Sequence, residues 1–389
     1  MHYFDNASTT FPKPESVYKK FNEAFREYGA NPGRSGHKLA LKAMEEIMKT
    51  RLILAKLFNV DNPLNISFHM NTTYALNTAI KGALKKGDHV ITTSMEHNSV
   101  LRPLFTLKEM GIIDLTVVKA EKTGEVGKDK IVEAIKDNTR MLVMTHSSNL
   151  LGTVENIDEI SKAVKAINKD IIILIDAAQS AGIIDIDLKK LDIDMLATAG
   201  HKSLFGPQGT GVLYLRNPEL VMHTIEGGTG SRSNEVYQPM DMPDKLEPGT
   251  PNGHGIIALG AGVEYILEEG IDNIRKHEET LTKTFIDGLK TIDGVEIYGL
   301  LDEKRKTPVV SMNMEGVDSS ILSYVLDDEY DIQTRPGLHC APLAHETIGT
   351  IKKGAVRFSF SCFNTEDEII YAIETLKKIK KEAKDGKYQ

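Results

Sequence analysis

Short apolar segments alternate with stretches of helical periodicity through roughly the first 270 residues of the chain. Several of these segments are apolar on both faces, as in strands that helices cover on each side. Six of them predict β-strands: NISFHM (65–70), DHVITTS (88–94), DLTVVKA (114–120), RMLVMTH (140–146), IIILIDAA (171–178) and DMLATAG (194–200). Amphipathic stretches such as 74–86, 97–110 and 156–168 separate them, and TGVLYL (210–215) adds an antiparallel strand. The alternation predicts an α/β domain whose mostly parallel seven-stranded sheet lies between helices.

The rest of the chain follows a different pattern. Long helical stretches at 256–270 and 273–291 come first. Beyond them the predicted elements are strand PVVSMNM (308–314), helix 318–327, strand DIQTR (331–335), strand AVRFSF (355–360) and helix 365–382. This order predicts a smaller C-terminal α+β domain. We therefore expect a large domain over 13–270 and a small domain over 271–389, which residues 1–12 join.

Charge and composition exclude several classes of function. The net charge of −8 over 389 residues argues against nucleic acid or an anionic membrane as the main partner. No segment approaches the ~20 apolar residues of a membrane span, and the N-terminal residues do not resemble a signal peptide. The two cysteines cannot form a disulfide framework and suit a reducing compartment. We expect a cytoplasmic protein, and no metal site is predicted.

Polar residues follow several of the predicted strands, at the edge where α/β sheets bind their ligands. Thr72 and Thr73 stand where a helix is predicted to begin. Hydroxyls and free amides there suit a phosphate, although an ordinary N-cap gives the same pattern. His97 occupies a second strand-to-helix junction, where a lone histidine is usually just a hydrogen-bonded polar group.

Two predicted strands end in charged residues. Asp176 ends a very apolar strand, where a carboxylate is costly unless a cation or donor meets it. His201 and Lys202 end another strand before a glycine-rich turn, and such lysines readily become amine nucleophiles. A helix cap and a paired structural lysine are the alternatives. Together, phosphate donors, an aromatic ring, a carboxylate and an amine are what pyridoxal phosphate needs.

The order of these motifs resembles the class V, fold type I, pyridoxal phosphate enzymes. Among them it is most similar to the group II (SufS-type) cysteine desulfurases and the selenocysteine lyases. The matching segments run in family order over nearly the whole chain: FDNASTT (4–10), NPGRSGH (31–37), TTYALN (72–77), EHNS (96–99), SSNLLGT (147–153), DAAQS (176–180), AGHKSLFGPQGTG (199–211), EPGTPN (247–252), RPGLHCAP (335–342) and VRFSFSCFNT (356–365).

The resemblance implies a role for each matching residue, with Lys202 as the Schiff-base lysine. The other implied cofactor contacts are Asp176 at the pyridine nitrogen, Gln179 at the phenolic oxygen, His97 stacked on the ring, Thr73 and His201 at the phosphate with Thr72 beside them, and Asn149 near the cofactor and the substrate carboxylate. Thr250 is expected to reach the phosphate from a second subunit, which implies a homodimer with shared active sites. Ala199 departs from the family, which often has a phosphate-binding serine there. Either one phosphate donor is missing, or Thr198 or Thr72 compensates, and cofactor binding is expected to survive.

RPGLHCAP places Cys340 on a short turn between two prolines. The resemblance implies that this thiol takes the sulfur of cofactor-bound L-cysteine, leaving L-alanine and a persulfide. Arg335 and His339 are nearby residues that favour the reactive thiolate, and Arg335 is a plausible helper in substrate binding. Because the loop is short, as in the group II enzymes, an acceptor protein is expected to collect the persulfide.

The strand around Arg357 alternates in character. Val356, Phe358, Phe360 and Cys362 fall on one face and Arg357 on the other. An arginine fork suits a carboxylate, and the resemblance assigns it the carboxylate of the substrate. Cys362 is predicted to be a small core residue on the phenylalanine face.

Four functions are weighed. Cysteine desulfurase is the first, and selenocysteine lyase uses the same site on the selenium analogue, so the sequence does not separate them. A class V aminotransferase would leave Cys340 idle. A non-enzymatic protein that kept the fold conflicts with the intact set of Lys202, Asp176 and His97.

Overall fold

The computed structural model describes residues 1–33 and 36–387, so Arg34 and Ser35 of the NPGRSGH segment lie outside the described residues. Its strands are β1 (His2–Tyr3), β2 (Ile66–His69), β3 (Asp88–Thr93), β4 (Ile113–Val118), β5 (Thr139–Thr145), β6 (Ile172–Asp176), β7 (Met195–Ala199), β8 (Gly211–Leu215), β9 (Val295–Tyr298), β10 (Val309–Met314), β11 (Ile332–Gln333), β12 (Arg335–Gly337) and β13 (Ala355–Ser359). Its α-helices are α1 (Glu15–Glu27), α2 (Lys38–Leu57), α3 (Thr72–Ala83), α4 (Asn98–Glu109), α5 (Lys128–Glu133), α6 (Ile157–Ile167), α7 (Gly253–Glu269), α8 (Ile271–Leu289), α9 (Ser319–Tyr330), α10 (Pro342–Thr347) and α11 (Glu366–Lys384).

The large sheet has seven strands in the order β2-β8-β7-β6-β5-β3-β4. Strand β8 is antiparallel to both of its neighbours, and the pairs from β7 to β4 are parallel. The predicted α/β fold with a mostly parallel sheet is therefore confirmed.

Helices cover both faces of this sheet, which explains why its strands lack polar alternation. Ile172 and Leu174 of β6 pack in one core cluster with residues of α3 and α4. Ile173 and Ile175 pack in the opposite cluster with residues of α2, α6 and α7. The carboxyl ends of β3, β5, β6 and β7 consequently meet at one edge of the sheet.

A second sheet of four antiparallel strands has the order β12-β13-β10-β9. The predicted strand DIQTR is divided between two sheets, because β11 pairs with β1 whereas β12 pairs with β13. Strand β13 ends at Ser359, so its alternation does not extend to Cys362. The partly buried Cys362 packs against the core of the large sheet, and its predicted place on the phenylalanine face was wrong.

The first residues of the chain join the small sheet. Strand β1 pairs with β11, and an isolated bridge links Asp5 to Ser359 at the end of β13. Phe4 is fully buried in the core cluster of the small sheet. This pairing carries residues 5–8 towards the carboxyl edge of the large sheet. Across the part of the chain that the structure describes, no helix is both long and apolar enough to span a bilayer.

Candidate active site

A cavity of about 220 Å³ lies where the carboxyl edge of the large sheet meets the small sheet. Both sheets and the N-terminal segment contribute to its wall. Ten of the predicted site residues line it: Thr72, Thr73, His97, Asn149, Asp176, Gln179, His201, Lys202, Arg335 and Arg357. The strand-end rule brings most of them together because neighbouring parallel strands end at the same edge.

Asp176 ends β6, and Lys202 lies in the turn that follows the adjacent strand β7. Lys202 lies in a tight turn, where any side chain at Gly200 would collide with Thr210. Burial lowers the pKa of Lys202 to about 8, against the opposing attraction of Asp176. Asp176 is 4% exposed, and burial raises the pKa of its carboxyl even though Oδ1 accepts a hydrogen bond of 3.0 Å from the Ala178 amide. The cavity thus holds an amine that can lose its proton and a carboxyl that needs a partner.

His97 caps the N-terminus of α4. Its Nδ1 accepts a hydrogen bond of 3.1 Å from the Ser99 amide, so a neutral ring carries its proton on Nε2. Burial lowers the pKa of His97 to about 4, helped by the positive charge of Lys202 and of nearby arginines. The side chain therefore presents an uncharged ring to the cavity.

One end of the cavity is built to receive an anion. Helix α3 begins at Thr72, and its first two residues line the cavity, so the cavity lies at a helix N-terminus, where anions are favoured. The Thr73 and Ser99 hydroxyls lie 2.7 Å apart, and both residues line the cavity. Nδ1 of His201 is buried and has no hydrogen-bond partner among the described residues. Ser99 was not predicted as a site residue, although it closes the EHNS segment two positions after His97.

Ala199 is buried at the end of β7 and does not line the cavity. Of the two threonines expected to compensate for the absent serine, Thr72 lines the cavity. The Thr198 hydroxyl instead donates to the carbonyl of Ala177 at 3.2 Å and does not line it. The expectation that Thr198 could replace the absent serine is therefore wrong.

Arg357 is fully buried yet opens onto the cavity. Its Nη1 donates to the Asn149 carbonyl at 2.8 Å, and its Nη2 donates to both Asp5 Oδ1 and Ser8 Oγ at 2.8 Å. Its Nε has no hydrogen-bond partner among the described residues. Asp5 and Ser8 were not predicted to be functional, although both belong to the FDNASTT segment that carried the family resemblance.

Cys340 lies on the connection between β12 and α10, and its thiol is exposed. His339 and Cys340 both adopt left-handed backbone conformations, with φ of 51° and 56°. Such conformations cost non-glycine residues roughly 1–3 kcal/mol each, so the surroundings must hold the turn in place. The Asn98 amide donates to the Cys340 carbonyl at 2.8 Å, and Asn149 Nδ2 donates to the His339 carbonyl at 2.7 Å. Both contacts tie the turn to the large sheet.

Arg335 connects the thiol to the cavity. Its Nη2 lies 3.7 Å from Cys340 Sγ, and its Nη1 donates to Ser8 Oγ at 3.1 Å. A guanidinium in this position can stabilise negative charge on the sulfur. Cys340 does not itself line the cavity but stands beside a residue that does.

Gln179 lines the cavity, whereas Thr250 lies outside it. Gln179 Nε2 donates to the Ala7 carbonyl at 3.0 Å, which leaves its second N–H for the cavity. Thr250 is exposed and lines a separate cavity that it shares with Phe68 and Tyr74. Within residues 1–33 and 36–387, no group of three or more histidine, cysteine or acidic side chains could hold a metal ion.

Comparisons with known proteins agree with this architecture. The family model described as aminotransferase class-V matches residues 2–371. A probable cysteine desulfurase of Methanothermobacter thermautotrophicus is 37% identical over 388 residues, which cover 97% of this chain and 94% of that protein. A probable cysteine desulfurase of Borreliella burgdorferi is 33% identical over 393 residues, with 98% and 92% covered.

Among solved structures, the apo structure of cysteine desulfurase from Thermococcus onnurineus NA1 is similar with a TM-score of 0.91 and 32% identity, covering 98% of this chain and 94% of that one. The fold is that of the fold type I pyridoxal phosphate enzymes. The chain belongs to the class-V aminotransferase family.

Proposed function

We propose that this protein is a pyridoxal phosphate-dependent cysteine desulfurase that converts L-cysteine to L-alanine and carries the sulfur on Cys340. One observation supports this function above the others. A single cavity holds the partly buried amine of Lys202 and the carboxyl of Asp176, and the exposed thiol of Cys340 lies 3.7 Å from Arg335 in its wall. An aminotransferase would have no use for that thiol.

The donor set of the cavity fits pyridoxal phosphate. Lys202 would supply the amine, Asp176 would pair with the pyridine nitrogen, and the neutral His97 ring would offer an aromatic face. The free N–H of Gln179 suits the phenolic oxygen. The N-terminus of α3 and the unpartnered Nδ1 of His201 would receive the phosphate. When bound, pyridoxal phosphate supplies an electron sink for carbanionic character next to the amino group.

Arg357 is proposed to bind the carboxylate of the substrate. Its guanidinium is already oriented by Asp5 and by the carbonyl of Asn149, so little rotamer freedom remains to be lost on binding. Asp5 is 21% exposed in the ion pair, and a substrate carboxylate would share or replace its contact with Nη2.

Cys340 is proposed to be the nucleophile. Its thiolate attacks the sulfur of L-cysteine, an S–S bond forms, and the C–S bond of the substrate breaks. The electron pair of that bond stays with the substrate carbon, which takes up a proton to become the methyl group of L-alanine. Lys202, with its pKa lowered to about 8, can hold and release such a proton near neutral pH. Cys340 is left as a persulfide.

We propose that the enzyme is a homodimer with shared active sites. Val236 and Tyr237 are 91% and 85% exposed, which is unusual for large apolar side chains of a lone chain. Thr250 lies outside the cavity of its own chain, in keeping with a role in the cavity of a second copy. The expected mass in solution is twice the chain mass of 43.0 kDa, measured by light scattering. A monomer that binds the cofactor fully would contradict this proposal.

We also propose that the chain divides into a large domain (13–270) and a small domain (271–389) that residues 1–12 join. The exposed thiol on the small domain is accessible to an acceptor protein, which we propose collects the persulfide sulfur.

The test uses the purified holoenzyme with L-cysteine and a reductant. Sulfide and alanine should appear in equal amounts, and Cys340→Ala should abolish both while the cofactor absorbance remains. Cys362→Ala is the matched control, because that cysteine lies away from the cavity and should retain activity. Amino transfer to a keto acid that survives Cys340→Ala would favour an aminotransferase. A much faster reaction with L-selenocysteine would favour a selenocysteine lyase.

A further inference from the structure

A hydrogen-bonded chain of buried side chains lies behind the Cys340 turn. His339 Nε2 lies 2.9 Å from the Arg335 carbonyl oxygen, and His339 Nδ1 lies 3.2 Å from His345 Nε2. His345 Nδ1 lies 2.6 Å from Thr350 Oγ1. The two rings are nearly parallel, with 9° between their planes. His339 is 2% exposed, and His345 and Thr350 are fully buried.

The contacts determine where each proton lies. A carbonyl oxygen only accepts, so His339 carries its proton on Nε2 and accepts at Nδ1. His345 Nε2 must then donate to His339, and the Thr350 hydroxyl must donate to His345 Nδ1. Burial lowers the pKa of both rings, that of His345 to about 4, so the chain is neutral. With these proton positions, all four ring nitrogens and the Thr350 hydroxyl have a hydrogen-bond partner.

The chain supports the part of the backbone that carries the thiol. Its last contact is with the carbonyl of Arg335, whose side chain reaches Cys340 Sγ. His339 itself holds one of the two left-handed positions of the turn. Without the Thr350 hydroxyl, His345 Nδ1 would be buried without a partner, and the arrangement that holds His339 would be weakened.

We propose that His345 and Thr350 are positioning residues for sulfur transfer, because through His339 they fix the turn that aims the Cys340 thiol. This inference rests on the proposed desulfurase activity. Neither residue lines the cavity, so neither is a catalytic residue. Both act on the step at sulfur and leave binding of the cofactor and the amino acid unchanged.

The first test compares Thr350→Val, which keeps the shape and loses the hydroxyl, with Thr350→Ser, which keeps the hydroxyl. In the full-length holoenzyme, Thr350→Val should lower kcat for alanine formation about ten- to hundredfold, because small displacements of reacting groups are that costly. KM for L-cysteine and the cofactor absorbance should stay unchanged. Thr350→Ser should restore most of kcat. Wild-type kcat in Thr350→Val, or equal losses in both variants, would overturn the proposal.

The second test does not depend on activity. In protein labelled with ¹⁵N-histidine, the ring-nitrogen signals of His339 and His345 should both show the Nε2–H tautomer and no titration between about pH 6 and 9. Thr350→Val should shift the signals of both rings. Either ring found in the other tautomer, or titrating near its ordinary pKa, would refute the chain. If the wild-type enzyme does not act on L-cysteine, the proposed function fails, and this measurement still decides the geometry.

Discussion

Replacing Lys202 with methionine is expected to stabilise the cofactor-free protein and to abolish its Schiff base with pyridoxal phosphate. Burial lowers the pKa of Lys202 from 10.5 to about 8, which means that the folded state disfavours the charged amine. One pKa unit corresponds to about 1.4 kcal/mol, so the penalty at neutral pH approaches roughly 3 kcal/mol. That penalty is already net of the attraction to Asp176, and water in the cavity screens part of it. We therefore expect a gain of about 1–2 kcal/mol.

The pH dependence of this gain has a defined sign. Between about pH 8 and pH 10.5 the unfolded chain binds a proton at Lys202 that the folded chain does not, so the wild type becomes more stable as the pH rises. Below pH 8 the Lys202 amine is charged in both the folded and the unfolded state, so the full penalty for burying its charge is present. Methionine does not titrate, so the advantage of the variant should be largest at neutral pH and should shrink towards pH 10.5.

The assay is thermal unfolding of the cofactor-free proteins at pH 7 and at about pH 9.5. Lys202→Met should raise Tm by about 2–4 °C at pH 7 and by less at the higher pH. Lys306→Met is the matched control, because this fully buried lysine lies outside the cavity and its Nζ donates to the Leu300 carbonyl at 2.9 Å. When pyridoxal phosphate is added back, Lys306→Met should show the cofactor absorbance, whereas Lys202→Met should not. A lower Tm for Lys202→Met at pH 7, or a gain independent of pH, would refute the reasoning.

Of three other substitutions, two test the site and the third tests an ion pair outside the cavity. Arg357→Lys should lower kcat/KM for L-cysteine by about tenfold or more, because an ammonium cannot grip a carboxylate with a planar fork; unchanged steady-state kinetics would contradict its role. Thr73→Val should speed the loss of cofactor on dialysis, followed by absorbance, whereas Thr73→Ser should not; equal retention in both would remove the hydroxyl from the phosphate site. The buried Arg51 forms a two-bond ion pair with the partly buried Glu247 at 2.9 and 3.0 Å, so Arg51→Met should cost about 3 kcal/mol of stability in urea unfolding, and a neutral effect would show that the pair is dispensable.

The large sheet and the site residues at its strand ends could be predicted because short stretches of the sequence indicate them. A segment that is apolar on both faces, such as β6, indicates a buried strand even when the neighbouring strands are unknown. The polar residue that ends it, here Asp176, then falls at the binding edge by the geometry of parallel sheets. His97 and Thr72 were located by the same rule.

The remaining parts depend on contacts between distant segments, which periodicity does not report. Asp5 reaches Arg357 only because β1 pairs with β11 and Asp5 bridges to Ser359. The division of DIQTR between two sheets follows from the same pairing. His345 carries no local signal, since on a short helix it reads as an ordinary polar residue until its contact with His339 is seen.

The relative placement of the amine and the thiol is a property of both sheets. Lys202 follows β7 of the large sheet, whereas Cys340 follows β12 of the small sheet. Asn98 and Asn149, from the large-sheet side, both bond to carbonyls of the Cys340 turn. Because these bonds hold a turn with two left-handed residues, long excursions of the thiol would break them and release the chain behind His339. We infer that the thiol stays beside the cavity during the reaction.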